Sequence, residues 1–165
     1  LWGNVTVRDG ALELAGADRG SSAAAILEGT SIWEHYRANA RVELRESTTF
    51  SIMARYQDGN YISCTYSKDG SIRFEEEVGG ERVMHQILHN IRPPAEGEAL
   101  IIGIYVNGPR AGCLLDNEIV MSVFPSETIP KQGSIGFKAW TQERRTMRSR
   151  VLDLRAESLD KPPVR

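Results

Sequence analysis

Short alternating or apolar runs, each closed by a turn dipeptide, recur along the whole chain. The clearest stretch is 50–78, FSIMARYQDGNYISCTYSKDGSIRFEEEV, in which Asp58-Gly59 and Asp69-Gly70 separate three β-prone segments. Asp-Gly between such runs predicts a hairpin, because glycine supplies the positive φ that tight turns need. Taking both connections as three-residue loops places Ile52, Ala54, Cys64, Tyr66, Ile72 and Phe74 on one face. The opposite face then carries Ser51, Met53, Arg55 and Gln57, next Tyr61, Ser63 and Thr65, and finally Arg73, Glu75 and Glu77. In this register the first face is core and the second is a polar shelf, with Arg55, Ser63 and Glu75 in line across it. A slip of one residue mixes the two sets.

The same punctuation continues on either side. Asp9-Gly10, Gly79-Gly80, Asn107-Gly108 and Asp116-Asn117 fall between further strand-like runs. Strands are expected over 11–14, 36–44, 49–56, 61–67, 71–78, 83–88, 100–106, 112–115, 118–123, 133–139 and 150–155. With no sustained helical periodicity, about eleven to thirteen short strands predict an antiparallel β-sandwich. Residues 23–27 fit either a helical turn or a strand. Along 100–106, Leu100, Ile102, Ile104 and Val106 alternate with Ile101, Gly103 and Tyr105. Gly103 is unfavourable in mid-strand unless another group approaches closely. In 134–140, Ile135, Phe137 and Ala139 alternate with Gly136, Lys138 and Trp140. One domain is expected over 1–157, with 158–165 a polar, proline-containing tail.

Composition narrows the function. The 165 residues are 41% hydrophobic and 25% charged with a formal net charge of −2, so no basic excess exists to neutralise a nucleic-acid backbone. No apolar run approaches the ~20 residues that span a bilayer, so membrane insertion is not expected. The first residue is Leu1, which suggests part of a longer, multidomain chain. Of the two cysteines, Cys64 and Cys113, each sits in an apolar strand-like segment. They read as small buried hydrophobes, with a disulfide as the alternative. Asn4-Val5-Thr6 matches the N-glycosylation pattern, a match that short sequences often make by chance.

The order of motifs Trp33-Glu34-His35-Tyr36, FSIMARYQDGNY, LIIGIYVNG, CLLDNEIV, GSIGFKAW and VLDLRAE resembles the concanavalin A-like lectin/glucanase superfamily. The nearest flavour is the laminin-G-like bacterial branch that includes family 66 carbohydrate-binding modules. This resemblance covers most of the chain and implies a jelly roll of two curved sheets that binds sugar on a sheet face or a loop edge. It implies an extracellular or cell-surface setting, an oligo- or polysaccharide partner, and either no cofactor or one structural calcium ion, which is common in the superfamily. Ala54-Arg55-Tyr56-Gln57-Asp58 with Asn60-Tyr61 matches the family's arginine motif, which points to Arg55 as a donor to sugar hydroxyls or a carboxylate. The terminal strand departs from the family pattern, with Leu152-Asp153-Leu154 in place of an aromatic before the aspartate.

Sugar recognition needs an apolar platform for C–H faces and charged or bidentate partners for hydroxyls. Trp140 is the candidate platform, with Arg55, Gln57, Asp58, Tyr61, Glu75 and Tyr105 as the polar set. The plain alternative for Arg55 is an ordinary cross-strand pair with Glu75. Oxygen-rich candidates for calcium are Asp9, Asp18 and Asp153, with Asp9 and Asp153 preferred; no EF-hand spacing is present. The superfamily also contains hydrolases with acids at alternate positions of one strand, as Glu75 and Glu77 are here. Their expected spacing of ~6.5–7 Å along the strand lies near what a retaining pair needs. The intervening aspartate and flanking aromatics of that pattern are missing, so a solvated, cross-paired strand is the simpler reading. His85 and His89 are four apart, about 13 Å along a strand, too far to share a metal. No GxSxG elbow exists for a serine nucleophile. The sequence therefore points to a non-catalytic carbohydrate-binding module. A small glycoside hydrolase using Glu75 and Glu77, and a laminin-G-type protein-interaction domain, are the alternatives.

Overall fold

The computed structural model describes residues 3–16, 21–45, 49–95, 97–141 and 147–159. Trp2, Asp18, the charged segment 142–146 and the tail from 160 onward lie outside them. The described residues form thirteen strands: β1 (Asn4–Arg8), β2 (Ala11–Gly16), β3 (Ser22–Ile26), β4 (Tyr36–Leu44), β5 (Thr49–Gln57), β6 (Asn60–Ser67) and β7 (Ser71–Val78) come first. They are followed by β8 (Glu81–Leu88), β9 (Leu100–Asn107), β10 (Arg110–Leu115), β11 (Glu118–Ile119), β12 (Ser134–Trp140) and β13 (Met147–Ser158). One sheet has seven strands in the order β1-β2-β13-β4-β9-β10-β11, and the other has six in the order β3-β12-β5-β6-β7-β8. Every strand pairing is antiparallel. The ambiguous 23–27 segment resolves as strand, since it pairs with β12 along Ala23–Ile26.

The core lies between the sheets. Ile52, Ala54, Cys64, Tyr66, Ile72 and Phe74 from the six-stranded sheet meet Tyr36, Ala38, Ala40, Val42, Ile102, Ile104 and Val106 from the other. The alternation along β9 and β12 runs as expected, with Ile135, Phe137 and Ala139 inward and Phe137 stacked 5.9 Å from Phe50. Gly103 sits where close approach forbids a side chain, because a Cβ there would lie 2.6 Å from the Ala38 carbonyl oxygen.

Cys64 and Cys113 are joined in a disulfide, with Cα atoms 5.4 Å apart. The expectation of two small buried hydrophobes is thus corrected. Residues on β6 and β10, 49 positions apart in sequence, come face to face only when the two sheets pack.

The meander register is half as expected. Ser67 pairs with Ser71 across a three-residue loop, and Ser63 stands opposite Glu75. The first turn is tighter: Gln57 pairs with Asn60, leaving Asp58 and Gly59 at φ 51° and 85°, as a two-residue type I′ turn requires. A bulge then follows, since pairing resumes at Ala54 with Ile62. Met53, not Arg55, therefore lies opposite Ser63. Arg55 leaves the shelf.

Candidate functional site

The outer face of the six-stranded sheet is the first place to look. Tyr61, Glu75 and Trp140 do come together there, with Ser51, Ser63, Thr65, Glu77, Arg82 and Lys138 around them. Most of these side chains, though not Glu75, bond to one another. Tyr61 donates its hydroxyl to Glu77 Oε2 at 2.5 Å and stacks on Tyr56. Lys138 Nζ reaches the Tyr61 hydroxyl at 3.3 Å and also lies 5.7 Å from the Trp140 ring, where Arg82 sits at 5.6 Å. Cations thus already occupy the indole surface that sugar C–H groups would need. Burial pushes the Tyr61 phenol well above its usual value, and its bond to Glu77 adds to this. Burial also pulls the Lys138 ammonium below its usual value, opposed by the nearby Glu77 charge. The hollow between these groups measures about 10 Å³, room for roughly one water and not for a sugar ring.

Arg55 is elsewhere because of the bulge. Its φ of 54° is left-handed, a conformation that L-residues adopt at a cost. The bulge turns the side chain off the sheet face to the end of the sandwich, where Nη2 donates to the Gly108 carbonyl oxygen at 2.7 Å. Its backbone N–H donates to the Tyr36 hydroxyl at 2.9 Å, so both contacts cross to the seven-stranded sheet or its β9–β10 turn. Only 6% of Arg55 is exposed, and its buried Nε has no hydrogen-bond partner among the described residues. Burial draws the guanidinium down from its usual value, with Tyr36 and Glu34 opposing that shift.

Beside Arg55 opens a cleft of about 780 Å³, within the range of small-molecule sites. Its walls come from four segments: Glu34 and His35 before β4, Arg55 at the bulge, Gly108 and Pro109 in the β9–β10 turn, and the 124–131 loop. That loop brings Phe124, 62% exposed, and Lys131 to the cleft. Arg110 packs 5.0 Å from the Phe124 ring centre. Glu34 accepts from Gln132 Nε2 at 2.7 Å and lies 3.9 Å from His35 Nε2.

A buried carboxylate holds the loop down. Glu76 alternates inward between Glu75 and Glu77, and it accepts from both the N–H and the hydroxyl of Ser126 at 2.7 Å. His85 Nε2 lies 2.7 Å from the same carboxylate. The three-glutamate run thus divides its work: the middle residue anchors the cleft wall, and the outer two face the shelf.

The remaining sequence candidates are dispersed. Gln57 and Asp58 are exposed at the β5–β6 turn. Tyr105 lies on the seven-stranded sheet and donates to Ser122 Oγ at 2.6 Å, away from both sites. Asp9 pairs with Arg8 in the β1–β2 turn and Asp153 with Arg155 on β13. Among the described residues no group of three or more His, Cys, Asp or Glu side chains is placed to hold a metal ion. Phe124, Lys131 and Glu34 were not singled out as ligand contacts from sequence. The only available signal was an aromatic followed by proline outside any periodic run.

This architecture has known counterparts. The carbohydrate-binding module CBM66 from Bacillus subtilis superposes with a TM-score of 0.77 at 12% identity, covering 94% of this chain and 92% of that one. The fold is the concanavalin A-like jelly roll. A prokaryotic β-1,3-1,4-glucanase (lichenase) derived from a mouse hindgut metagenome shares it, with a TM-score of 0.67, 15% identity, and 93% and 81% of the two chains covered. So does the exoplasmic/lumenal domain of VIP36 in its Ca2+/Man3GlcNAc-bound form, with a TM-score of 0.74, 7% identity, and 99% and 84% covered. No protein-family model and no curated protein matches the sequence. At these identities the jelly roll is what the comparison shows to be shared.

Proposed function

We propose that this chain is a non-catalytic glycan-binding module that seats one or two sugar units in the end cleft. The observation that carries this reading is Arg55, a nearly buried arginine on the wall of an open cleft of about 780 Å³, whose side-chain hydrogen bond among the described residues goes only to a neutral carbonyl. A donor held in place by the Gly108 carbonyl needs little reordering to meet a hydroxyl or carboxylate. Phe124 carries Arg110 against its ring as Trp140 carries its cations, but at 62% exposed it still offers ring surface for C–H faces on the same wall. The fold's counterparts include a carbohydrate-binding module and a lectin domain with bound oligosaccharide, which fits this reading. Binding is preferred to turnover because Glu77 is already held by Tyr61 and Arg82 beside a hollow too small for a sugar. A disulfide-bonded core suits an oxidising setting outside the cytosol. A module of this kind acts as one part of a longer carbohydrate-active chain.

The test is a broad glycan array probed with the purified domain, with and without chelator. Binding is expected, with Arg55→Ala and Phe124→Ala each lowering it at least tenfold and Glu75→Gln leaving it unchanged. Silence across the array, or sensitivity to Glu75→Gln alone, sinks the proposal.

A further inference from the structure

The charges around the end cleft are unevenly placed. The positive charge of Arg55 is buried, whereas the two carboxylates on the cleft, Glu34 and Glu127, face solvent. Glu34 is already engaged by Gln132 and His35. Arg55 forms no ion pair among the described residues, and its one side-chain hydrogen bond runs to a neutral carbonyl, that of Gly108. Glu34 acts on this guanidinium only from beyond ion-pair distance, so among the described residues it lacks the contacting counter-charge that usually accompanies a buried cation. Arg37 and Arg73 also leave a buried Nε unpaired, yet both are more exposed and neither lines the cleft. Lys131 adds a second cation to the same wall, again without an ion pair among the described residues.

We infer that the end cleft selects acidic glycans, taking the carboxylate of a uronic or sialic acid residue onto Arg55. The inference rests on the glycan-binding reading above and names the sugar class for that site. A neutral sugar offers Arg55 acceptor oxygens but no charge. A carboxylate offers both, and its two oxygens match the planar fork of the guanidinium. Lys131 reinforces the preference as a point charge near the mouth. Phe124 is left to the ring's apolar face, so the two halves of the sugar meet different chemistry.

Matched ligand pairs test this with the domain as it stands. Oligogalacturonate is compared with the same oligosaccharide after carboxyl reduction, a glucuronic acid-capped oligosaccharide with its glucose-capped counterpart, and sialyllactose with lactose. Binding is read by titration calorimetry and by amide chemical shifts. At least one acidic member is expected to bind roughly ten- to a hundredfold more tightly than its neutral partner, the range of a charge-assisted bidentate contact. Amides around Arg55 and Gly108 should move with it. Arg55→Gln should remove the difference within the pair. Because the ligand comparison needs no variant, a poorly folded Arg55→Gln leaves the test intact. Equal affinity within every pair overturns the acidic preference while leaving glycan binding in place; no binding to any member, together with a silent array, overturns both.

Discussion

Tyr36 on β4 accepts the backbone N–H of Arg55 on β5 at 2.9 Å, so a core tyrosine in one sheet holds the bulge of the other. The Tyr36 ring is fully buried and packs 6.0 Å from Trp33, which leaves its hydroxyl little freedom. Tyr36→Phe keeps the ring and strands the Arg55 N–H in the interior. A buried donor without a partner costs about 1–3 kcal/mol. Urea unfolding should show a lower midpoint at unchanged slope, and glycan affinity should fall even though Tyr36 touches no ligand. Full affinity in this variant would mean that the bulge holds Arg55 without help.

The same phenol gives a pH signature. Burial, opposed by the Arg55 N–H and the Arg55 charge, pushes the Tyr36 pKa up to about 12. An exposed tyrosine ionises near pH 10. Between about pH 10 and 12 the folded state keeps a proton that the unfolded chain has lost, so the contribution of Tyr36 is fully present below that window and declines through it. Tyr61 and Tyr66, also raised by burial, act in the same direction. The informative quantity is the stability difference between wild type and Tyr36→Phe. It should be constant from pH 7 to about pH 9 and shrink above pH 10.

Gly133 sets the other side of the bulge. A Cβ at this position would fall 2.4 Å from the Arg55 carbonyl carbon and 2.6 Å from its oxygen. Both are backbone atoms, so no rotamer change relieves the clash. Gly133→Ala should shift Arg55 bodily and cost roughly 1–3 kcal/mol, the usual range for overpacking. Thermal unfolding checks the stability, and chemical shifts of the Arg55 side chain check the displacement. An alanine variant with wild-type values for both would show that the 133 strand entry moves instead.

Reduction should weaken the sandwich substantially. The Cys64–Cys113 link closes a loop of 49 positions, for which chain entropy predicts about 4 kcal/mol. Urea unfolding of oxidised and reduced protein measures it directly. A difference below about 1 kcal/mol would place the stability in the packing of the two sheets rather than in the link.

The inner face of the meander was legible because alternation alone reports which side chains share a face. It is blind to a shift of two residues. A three-residue loop pairs Ala54 with Cys64; the observed two-residue turn plus bulge pairs Ile52 with it, and both arrangements bury the same set. Arg55 is the residue whose position differs between them, which is why its departure from the shelf could not be read from the pattern. The disulfide stood only as the alternative for a related reason, since it depends on contact between β6 and β10 across the core. Trp140 looked like a free platform in sequence, but the cations that cover it come from β8 and from its own strand, two residues back. The cleft itself is built by loops, where neither period nor propensity marks a Phe124 or a Lys131. Their place is fixed by Glu76, reaching Ser126 across 50 positions.

A left-handed arginine also sets stability and recognition against each other at one position. Glycine adopts the φ of 54° freely, whereas an L-side chain there carries a penalty of roughly 1–2 kcal/mol. Selection for a sturdier sandwich alone would favour Arg55→Gly, which relieves the backbone and removes a buried charge in a single step. If the cleft binds as proposed, sequence drift toward glycine at this bulge would mark copies of the domain that have stopped binding through it.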